Sequence, residues 1–425
     1  MRYVVFNPGS HPAPRWIAAR LSDQSDLESY WTSFQISGRV ASGRMYRAIP
    51  RFVRRSFANR ILPPSLDARA VRRAAALLDF FAGTVLQMRG GSNLRNRLLQ
   101  RRNRIVARNL RKHLLRLVGS GTAVTVIIPT DTRTGIEDSC FSLGIPYVLY
   151  TPLPDARYCA ELLTDDEVTS PRWSEFLGDK PTTAERGHAD RYVLNSRAVI
   201  ANSDFTVRSF ERFAGNTAMR SVPLAVDLGE LRRQNLLGTA VRNRRGPEEP
   251  LRIAYAGQIN QRKGLSYLFE AVDSLIGLGQ IHIQLYGTDH LGMLPSLARD
   301  FPNIVVNHRP RLPQSELWLA LARDHLFAFP TLLDGFGNAL AEAAAIGLPS
   351  IVTDRCGAPD LGLIPTAAVL VPAQDSRAIA AAIEGFYTDE NRRLAFAAEA
   401  TKIMSRGRSW DEYGADAVTF VRGLS

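Results

Sequence analysis

The sequence predicts an α/β protein made of two doubly wound, Rossmann-like domains with a cleft between them. Apolar segments of strand length alternate with helical segments in both halves of the chain, an order typical of parallel sheets. The chain has 425 residues, which is more than one hydrophobic core usually organises. Its 45% hydrophobic and 22% charged residues are typical of globular proteins, and they exclude disorder throughout the chain.

The first domain is predicted over residues 1–228. Short apolar runs indicate strands, and apolar residues that recur at three- or four-residue spacing indicate helices. Pro14 opens a predicted helix over residues 13–21, and Asn202-Ser203-Asp204 caps another helix further along the chain. The predicted strands are residues 3–6, 123–128, 145–150 and 199–201.

The second domain is predicted over residues 251–408. It follows residues 229–250, whose mixed charge and Gly-Pro break indicate an interdomain linker or a surface loop. Residues 409–425 are predicted to form a final helix that packs back toward the first domain. Each predicted strand of the second domain precedes a helical segment, and these strands are residues 251–257, 281–287, 303–307, 326–330, 349–353 and 368–371.

Positive charge is concentrated between Arg39 and Arg116. This basic stretch holds 19 arginines and one lysine against two acids, so its net charge is +18 in a chain whose total is +12. Apolar residues at helical spacing over residues 94–117 predict an amphipathic helix. Three interpretations stay open: a solvated face on core-packing helices, contact with an anionic membrane surface, and nucleic-acid binding. Nucleic acid is the least favoured partner, because no recognition-helix, RNP or zinc-finger pattern accompanies the charge.

Cysteine usage and hydropathy indicate a cytoplasmic protein. Cys140, Cys159 and Cys356 lie far apart, which argues against a disulfide framework or a structural zinc site. The most apolar segment, residues 74–88, is shorter than the roughly 20 residues that span a bilayer, and it contains Asp79. Peripheral attachment to the inner face of the cell membrane through the basic stretch is the open alternative.

Two segments that follow predicted strands carry residues suited to phosphate chemistry. In the first, Gly257 ends a strand and lets a ligand approach the backbone, and Arg262 and Lys263 follow with charges suited to a diphosphate. In the second, a strand ends in the Gly-rich turn of residues 334–337, and a helix begins whose first amides have no intrahelical partners. The alternatives are a plain loop with surface cations, a turn-forming carboxylate at Asp334 and a solvated helix face at Glu342.

Together these segments resemble the donor domain of a GT-B glycosyltransferase, specifically of glycosyltransferase family 4. DGFGNALAE keeps the family's Glu–seven residues–Glu spacing, with Asp334 in place of the first Glu. GLPSIVTDRCGAPDL resembles the family's next segment, and weaker matches are ANSDFTVRSF and VPLAVD. The resemblance covers roughly residues 120–425.

The resemblance implies a role for each residue of the two segments. Lys263, with Arg262, would hold the donor diphosphate, Asp334 would contact the sugar hydroxyls and Glu342 the ribose hydroxyls. Lys263, Asp334 and Glu342 are the catalytic residues on this prediction, and backbone amides of the Gly-rich turn would face the donor. The implied donor-binding residues are Gly257, Gln258, Arg262, Lys263, Gly335, Phe336, Gly337, Asn338, Ala339, Leu340 and Glu342.

The resemblance also implies retaining transfer from a nucleotide sugar to a glycan or lipid-linked acceptor, in cell-surface polysaccharide or glycolipid synthesis. No metal and no cofactor are expected, and the chain has no two aspartates spaced i, i+2. Many relatives place a histidine after the strand that corresponds to residues 147–150; here Asp155 is the nearest ionisable group. Gly9 and His11 would face the cleft from the first loop, or His11 would lie in solvent. The alternative functions are a catalytically inactive GT-B-like binding protein and a nucleic-acid-associated protein.

Overall fold

The computed structural model describes residues 1–9, 11–36, 40–41, 60–79, 92–130, 134–178, 180–226, 228–310 and 312–424. Within them the chain forms two sheets, one of seven and one of six strands, and every pair of neighbouring strands is parallel. This confirms the predicted α/β class with two doubly wound sheets. None of the helices in these ranges is long and apolar enough to cross a membrane.

The first sheet has the strand order β3-β2-β1-β4-β5-β6-β7. Its central strands are buried on both faces, as expected for a parallel sheet covered by helices. Its strands are β1 (Arg2–Asn7), β2 (Leu27–Thr32), β3 (Val71–Arg73), β4 (Val124–Pro129), β5 (Tyr147–Thr151), β6 (Ala198–Ala201) and β7 (Ala218–Ser221). The strands predicted in this half all form, whereas β2, β3 and β7 were missed because they are short or carry polar and charged side chains.

Helices connect and follow these strands within the described ranges. Capping residues fix several helix starts; Ser203, for example, accepts a hydrogen bond from the amide of Thr206 at 3.1 Å. The helices are α1 (Pro12–Asp23), α2 (Ser92–Gly119), α3 (Ile136–Ser142), α4 (Ala156–Thr169), α5 (Thr183–Leu194), α6 (Asp204–Glu211) and α7 (Leu228–Arg233).

The second sheet has the order β10-β9-β8-β11-β12-β13. All six of its strands lie where the sequence predicts them. They are β8 (Leu251–Ala256), β9 (Ile281–Tyr286), β10 (Val305–Arg309), β11 (Leu326–Phe329), β12 (Ser350–Thr353) and β13 (Ala368–Val371). The helices of this half are α8 (Leu265–Asp273), α9 (Met293–Asp300), α10 (Gln314–Leu321), α11 (Asn338–Ile346), α12 (Ser376–Thr388), α13 (Glu390–Ser405) and α14 (Trp410–Gly423).

Helix α14 crosses from the second half of the chain to the first. Gly414 packs so closely on α1 that a Cβ atom there would lie 2.7 Å from the carbonyl oxygen of Trp16. Tyr413, Ala417 and Val418 of α14 share one buried apolar cluster with Ile17 and Leu21 of α1. The C-terminal helix therefore connects the second half of the chain to the first by packing on α1.

The basic stretch is only partly described, since Arg39 and residues 42–59 and 80–91 lie outside the described ranges. Its helix α2 is amphipathic as predicted. Val106, Leu110, Leu114 and Leu117 are buried against the first sheet, which leaves none of these four side chains for insertion into a bilayer. The exposed face of α2 carries Arg101, Arg104, Arg108, Arg111, Lys112 and Arg116.

The two halves also pack through α4 and the turn Pro171–Phe176 that follows it. The ring of Trp173 stacks on that of Phe301 with centroids 6.4 Å apart. Trp173, Phe176 and Leu163 join one apolar cluster with residues of the second sheet and its helices. This contact places α4 beside the carboxyl ends of β8 and β11. The two segments that contain Lys263 and Asp334, called the motif segments below, begin there.

Candidate functional site

The two motif segments meet because β8 and β11 are neighbours in the sheet. Gly264 lies directly against the backbone of Pro330, where a Cβ atom would overlap the carbonyl oxygen. The amide of Leu332 donates to the carbonyl oxygen of Arg262 at 2.9 Å. These backbone contacts hold the two loops together at the carboxyl edge of the sheet, where ligands of doubly wound folds bind.

Lys263 and Asp334 form an ion pair between these loops. Burial lowers the pKa of Lys263, and the neighbouring carboxylate opposes that shift. Burial alone would raise the pKa of Asp334, but Lys263 and Arg262 outweigh it and hold this pKa below its ordinary value. The Nζ atom of Lys263 also lies 5.6 Å from the centroid of the Phe329 ring. The structure thus brings together two of the three predicted catalytic residues.

The Gly-rich turn leads from Asp334 into the amino end of α11. The amide of Phe336 donates to Oδ1 of Asp334 at 3.1 Å, so this carboxylate also fixes the turn. Gly337 begins the helix with a φ of 96°, a left-handed conformation that favours glycine. The side chains of Phe336 and Leu340 lie in the apolar core, so these residues offer a ligand only their backbone. Asn338 is exposed and Ala339 half-buried, at the first turn of the helix.

Glu342 is one turn further along α11 and contacts α10 instead of the ion pair. Its carboxylate accepts hydrogen bonds from Nε2 of Gln314 at 2.5 Å and from Nε1 of Trp318 at 3.1 Å. Burial raises the pKa of Glu342 to about 7, although both hydrogen bonds oppose the shift. A solvated helix face, the alternative for this residue, is therefore wrong.

The end of β8 is shaped by close backbone packing. Gly287 lies so near Gly257 that a Cβ atom at position 287 would overlap the carbonyl oxygen of Gly257. The hydroxyl of Tyr255 donates to the carbonyl oxygen of Gln258 at 2.6 Å and closes the turn. The Gln258 side chain itself is exposed, while Arg262 is half-buried beside the ion pair.

Gly9 and His11 lie at the carboxyl end of β1 in the first sheet. His11 caps α1 by accepting from the amide of Ala13 at 3.2 Å, and its Nδ1 lies 3.2 Å from the hydroxyl of Tyr150. Burial, together with Arg15, lowers the pKa of His11 to about 4, so the imidazole is neutral at physiological pH. The alternative of a loop histidine in solvent is wrong.

Asp155 serves as the cap of α4. Its Oδ1 accepts from the amide and the Nε of Arg157, both at 2.8 Å, and its Oδ2 pairs with Nη2 of the same arginine at 2.7 Å. The guanidinium of Arg157 lies over the Phe213 ring at 4.0 Å. These local contacts provide hydrogen-bond partners for both oxygens of the Asp155 carboxylate. A role for Asp155 in the cleft stays a prediction.

Two contacts between the halves were not foreseen from the sequence. Asp166 of α4 is fully buried and accepts hydrogen bonds from Nε2 of Gln261 at 3.0 Å, the hydroxyl of Tyr267 at 2.6 Å and Nε2 of Gln374 at 3.1 Å. Because Gln261 belongs to the same turn as Lys263, a carboxylate of the first half braces the cationic loop. Asp165 and Asp166 are adjacent in the sequence, and no periodic pattern of residues shows which of the two is buried.

The second contact joins the Gly-rich turn to α6. The carbonyl oxygen of Gly335 accepts from the hydroxyl of Ser203 and, at 3.2 Å, from that of Thr206. A Cβ atom at position 335 would overlap the carbonyl oxygen of Pro152, which follows β5. The sequence indicated Ser203 only as a helix cap. Within the described residues, no group of three His, Cys, Asp or Glu side chains is placed to hold a metal ion.

Two parallel, doubly wound sheets that meet at such an edge define the GT-B class of fold. Residues 250–389 match the profile of the family described as glycosyl transferases group 1. The chain is similar to the sucrose-phosphate synthase of Thermosynechococcus elongatus, with a TM-score of 0.60, 14% identity, and coverage of 100% of this chain and 99% of that one. It is similar to Anabaena Alr3699/HepE in complex with UDP-glucose, with a TM-score of 0.57, 13% identity and full coverage of both chains. These likenesses show the GT-B fold.

Among curated relatives, the chain is similar to the capsular polysaccharide biosynthesis glycosyltransferase CapM of Staphylococcus aureus. The two are 28% identical over 152 residues, which is 33% of this chain and 38% of CapM. The matched part therefore spans well under half of the relative's length.

Proposed function

We propose that this protein is a retaining glycosyltransferase of family 4 that moves a sugar from a nucleotide-sugar donor to a glycan or lipid-linked acceptor. The observation that carries the proposal is the Lys263–Asp334 ion pair, held at adjacent strand tips beside the amino end of α11. The polysaccharide-synthesis name of CapM and the UDP-glucose bound to HepE support it. In this proposal the second domain binds the donor, and the first domain binds the acceptor.

Breaking the bond between a sugar and its phosphate builds negative charge on the departing diphosphate. A lysine and helix amides fixed in place beforehand stabilise that charge without reorganising. Lys263 and the first amides of α11 supply both kinds of donor at one edge of the sheet. The donor diphosphate would replace Asp334 as the partner of Lys263, and the released carboxylate would accept hydrogen bonds from the sugar hydroxyls.

The remaining steps need no nucleophilic side chain. In a front-side attack, the acceptor oxygen bonds to the anomeric carbon on the face from which the diphosphate leaves, and configuration is retained. The departing phosphate oxygen takes the proton of the attacking hydroxyl, so atoms and charge balance without a metal ion. In this proposal, the close contact between Gly335 and Pro152 limits the access of water to this edge, which would favour transfer over hydrolysis.

Glu342 is proposed to bind the donor ribose. Its partners Gln314 and Trp318 fix the carboxylate on the face of α11 next to α10. A carboxylate accepts hydrogen bonds from two neighbouring hydroxyls, and the ribose presents such a pair. The ribose hydroxyls would then donate hydrogen bonds to the Glu342 carboxylate together with Gln314 and Trp318.

The test is a thermal-shift screen of the purified protein against UDP-, GDP-, ADP- and dTDP-sugars, with and without EDTA. A donor that binds only the native state raises the melting temperature, because it stabilises that state by RT ln(1 + [L]/Kd). We expect one nucleotide class to stabilise the protein, an unchanged response in EDTA, and loss of the response in Lys263→Ala and Glu342→Ala. Lys402→Ala, at an exposed lysine paired with Glu399, is the control. No response to any donor, or silent Lys263→Ala and Glu342→Ala variants, would reject the proposal.

We also propose a cytoplasmic location with electrostatic attachment to the inner membrane face through the exposed arginines of α2. Co-sedimentation with vesicles should require anionic lipid and weaken as salt rises, because exposed charges are screened. Equal binding to neutral vesicles would contradict this.

A further inference from the structure

A cavity of about 620 Å³ lies on one face of the second sheet. The buried part of its lining includes Gln284 and Tyr286 of β9, and its wall includes Arg323, between α10 and β11. Lys263 and Asp334 follow the carboxyl ends of β8 and β11, whereas this cavity reaches the amino end of β11, so the two places are separate. Its volume lies within the range of roughly 300–1,000 Å³ that is typical of small-molecule sites.

The strand register places several lining residues on the same face. Gln284 and Tyr286 are two residues apart on β9, and Arg309 of β10 pairs directly with Tyr286. Helix α10 packs on this face too, because Trp318 shares an apolar cluster with Tyr286. Burial raises the pKa of the Tyr286 hydroxyl, Asp324 adds to the rise, and the charges of Arg309 and Arg252 oppose it. The charge of Arg309 therefore acts at the buried end of the cavity.

Positive charge dominates the lining. The charged residues that line the cavity are Arg242, Arg252, Arg309, Arg323 and Asp324. Arg252 is engaged, since its Nε and Nη2 donate to the carbonyl oxygen of Arg323 at 3.0 and 2.7 Å, and it pairs with Glu249. The guanidinium groups of Arg242, Arg309 and Arg323 form no hydrogen bond and no ion pair with any residue that the structure describes.

The acid in this lining does not balance these three arginines. Oδ2 of Asp324 accepts from the Tyr286 hydroxyl at 2.9 Å, and its Oδ1 lies 4.0 Å from Nε of Arg252. Burial also raises the pKa of Asp324 to about 7, so it carries less than a full negative charge at neutral pH. Position 311 is the one residue between 228 and 424 outside the described ranges, and it is an arginine. The cavity is therefore short of negative charge.

The buried end of the cavity offers a polar group without a partner. Gln284 is only 9% exposed, and its side-chain amide makes no hydrogen bond within the described ranges. Most buried amides in proteins are hydrogen-bonded, and a hydroxyl satisfies an amide because it both donates and accepts. Exposed cations near solvent and a buried amide further in together describe a ligand with an anionic end and a hydroxylated end.

We propose that this cavity binds a sugar phosphate. The planar forks of Arg242, Arg309 and Arg323 match the oxygens of a phosphate, and three positive charges suit a dianion better than a single carboxylate. The sugar hydroxyls reach Gln284 at the buried end. The proposal does not rest on the proposed function, because no residue of the donor site lines this cavity.

The test measures binding of glucose 6-phosphate and glucose 1-phosphate to the full chain by isothermal titration calorimetry at constant ionic strength. Glucose and inorganic phosphate, each of which carries one part of the proposed ligand, are titrated in parallel. The comparison is between Arg323→Gln and Arg377→Gln, a matched change at an exposed arginine on α12 that does not line the cavity. Lys263→Ala is included to separate this cavity from the donor site.

We expect at least one sugar phosphate to bind wild type, Arg377→Gln and Lys263→Ala alike, and Arg323→Gln at least about tenfold more weakly, since a charge-assisted hydrogen bond is lost. The same sugar phosphate should bind wild type more tightly than glucose or inorganic phosphate does. Gln284→Met, which keeps a similar length without the amide, should weaken the sugar phosphate several-fold and leave inorganic phosphate unchanged.

Failure of both sugar phosphates to bind wild type would overturn the proposal, as would equal affinity of Arg323→Gln and Arg377→Gln. A loss of binding in Lys263→Ala would place the ligand in the donor site instead and would also reject it. If Gln284→Met does not fold, wild type decides the role of the hydroxyls, because inorganic phosphate that binds as tightly as either sugar phosphate contradicts it. Arg309→Gln, at a second exposed position, repeats the tenfold criterion.

Discussion

The carboxyl edges of the two sheets carry their charges in different ways. In the second sheet, Lys263 and Asp334 lie in short loops directly after adjacent strands and pair with each other. In the first sheet, two described ionisable groups next to strand ends, His11 and Asp155, cap helices. Two arginines near this edge, Arg60 and Arg102, pair with Asp79 and lie on segments distant in the chain.

Under the proposed function, this difference bears on how each edge recognises its ligand. A pair within two tight loops has a fixed geometry, which suits a diphosphate that must be gripped in one orientation. An edge assembled from long connections is free to vary in sequence while the sheet below stays the same. We therefore expect changes at the second edge to affect all donors equally, and changes at the first edge to affect the choice of acceptor.

The largest effect is expected from Lys263→Met, which tests the second edge alone. Removing one preorganised donor to a developing charge typically costs about 100- to 1000-fold in turnover. Turnover is measured as release of nucleoside diphosphate at saturating donor, with Lys402→Met as the control at an exposed position. A loss below tenfold would show that Lys263 does not stabilise the departing group.

Gly335→Ala tests the point at which the two edges meet. The new methyl group would overlap the carbonyl oxygen of Pro152, so the first half must shift away from the turn. We expect a fall of about tenfold or more in turnover, because misplacing the reacting groups by about 1 Å can cost about 100-fold. Gly277→Ala is the control, since its Cβ would meet nothing within 4 Å. Equal turnover in both variants would mean that the contact is dispensable.

Asp166→Asn tests whether the first half positions the second edge. The substitution keeps the shape but removes the charge that accepts from Gln261, Tyr267 and Gln374. We expect KM for the donor to rise several-fold with a smaller change in kcat, and the free energy of unfolding to fall by about 1–3 kcal/mol. Asp165→Asn, whose side chain is 56% exposed, is the neighbouring control. An unchanged KM with reduced stability would assign Asp166 a structural role only.

The smallest effect is a pH dependence that arises at Glu342. Its pKa is raised from 4.5 to about 7, so the native state binds this proton more tightly than the unfolded chain does. The stabilisation it contributes is complete below the unfolded pKa of 4.5 and is lost as pH rises through about 7.

Donor binding should show the opposite trend, because the carboxylate is the better acceptor for ribose hydroxyls. We expect donor affinity to fall a few-fold between pH 8 and pH 6 and this slope to vanish in Glu342→Gln. The slope is measured by calorimetry with the nucleotide sugar that the thermal-shift screen selects. An identical slope in Glu342→Gln would place the titrating group elsewhere.

The sequence by itself determined the α/β class, the six strands of the second sheet and the segments that contain Lys263, Asp334 and Glu342. It did so because parallel strands are continuous apolar runs, and because short loops keep the residues of a motif close together in the chain.

Only the tertiary structure decided which charges meet. It paired Lys263 with Asp334, buried Asp166 beneath the cationic loop, and turned Arg60 and Arg102 toward Asp79 while Arg101 and Arg104 face solvent. The physical reason is that burial and electrostatic pairing depend on distances between segments far apart in the chain, and local residue patterns do not specify those distances.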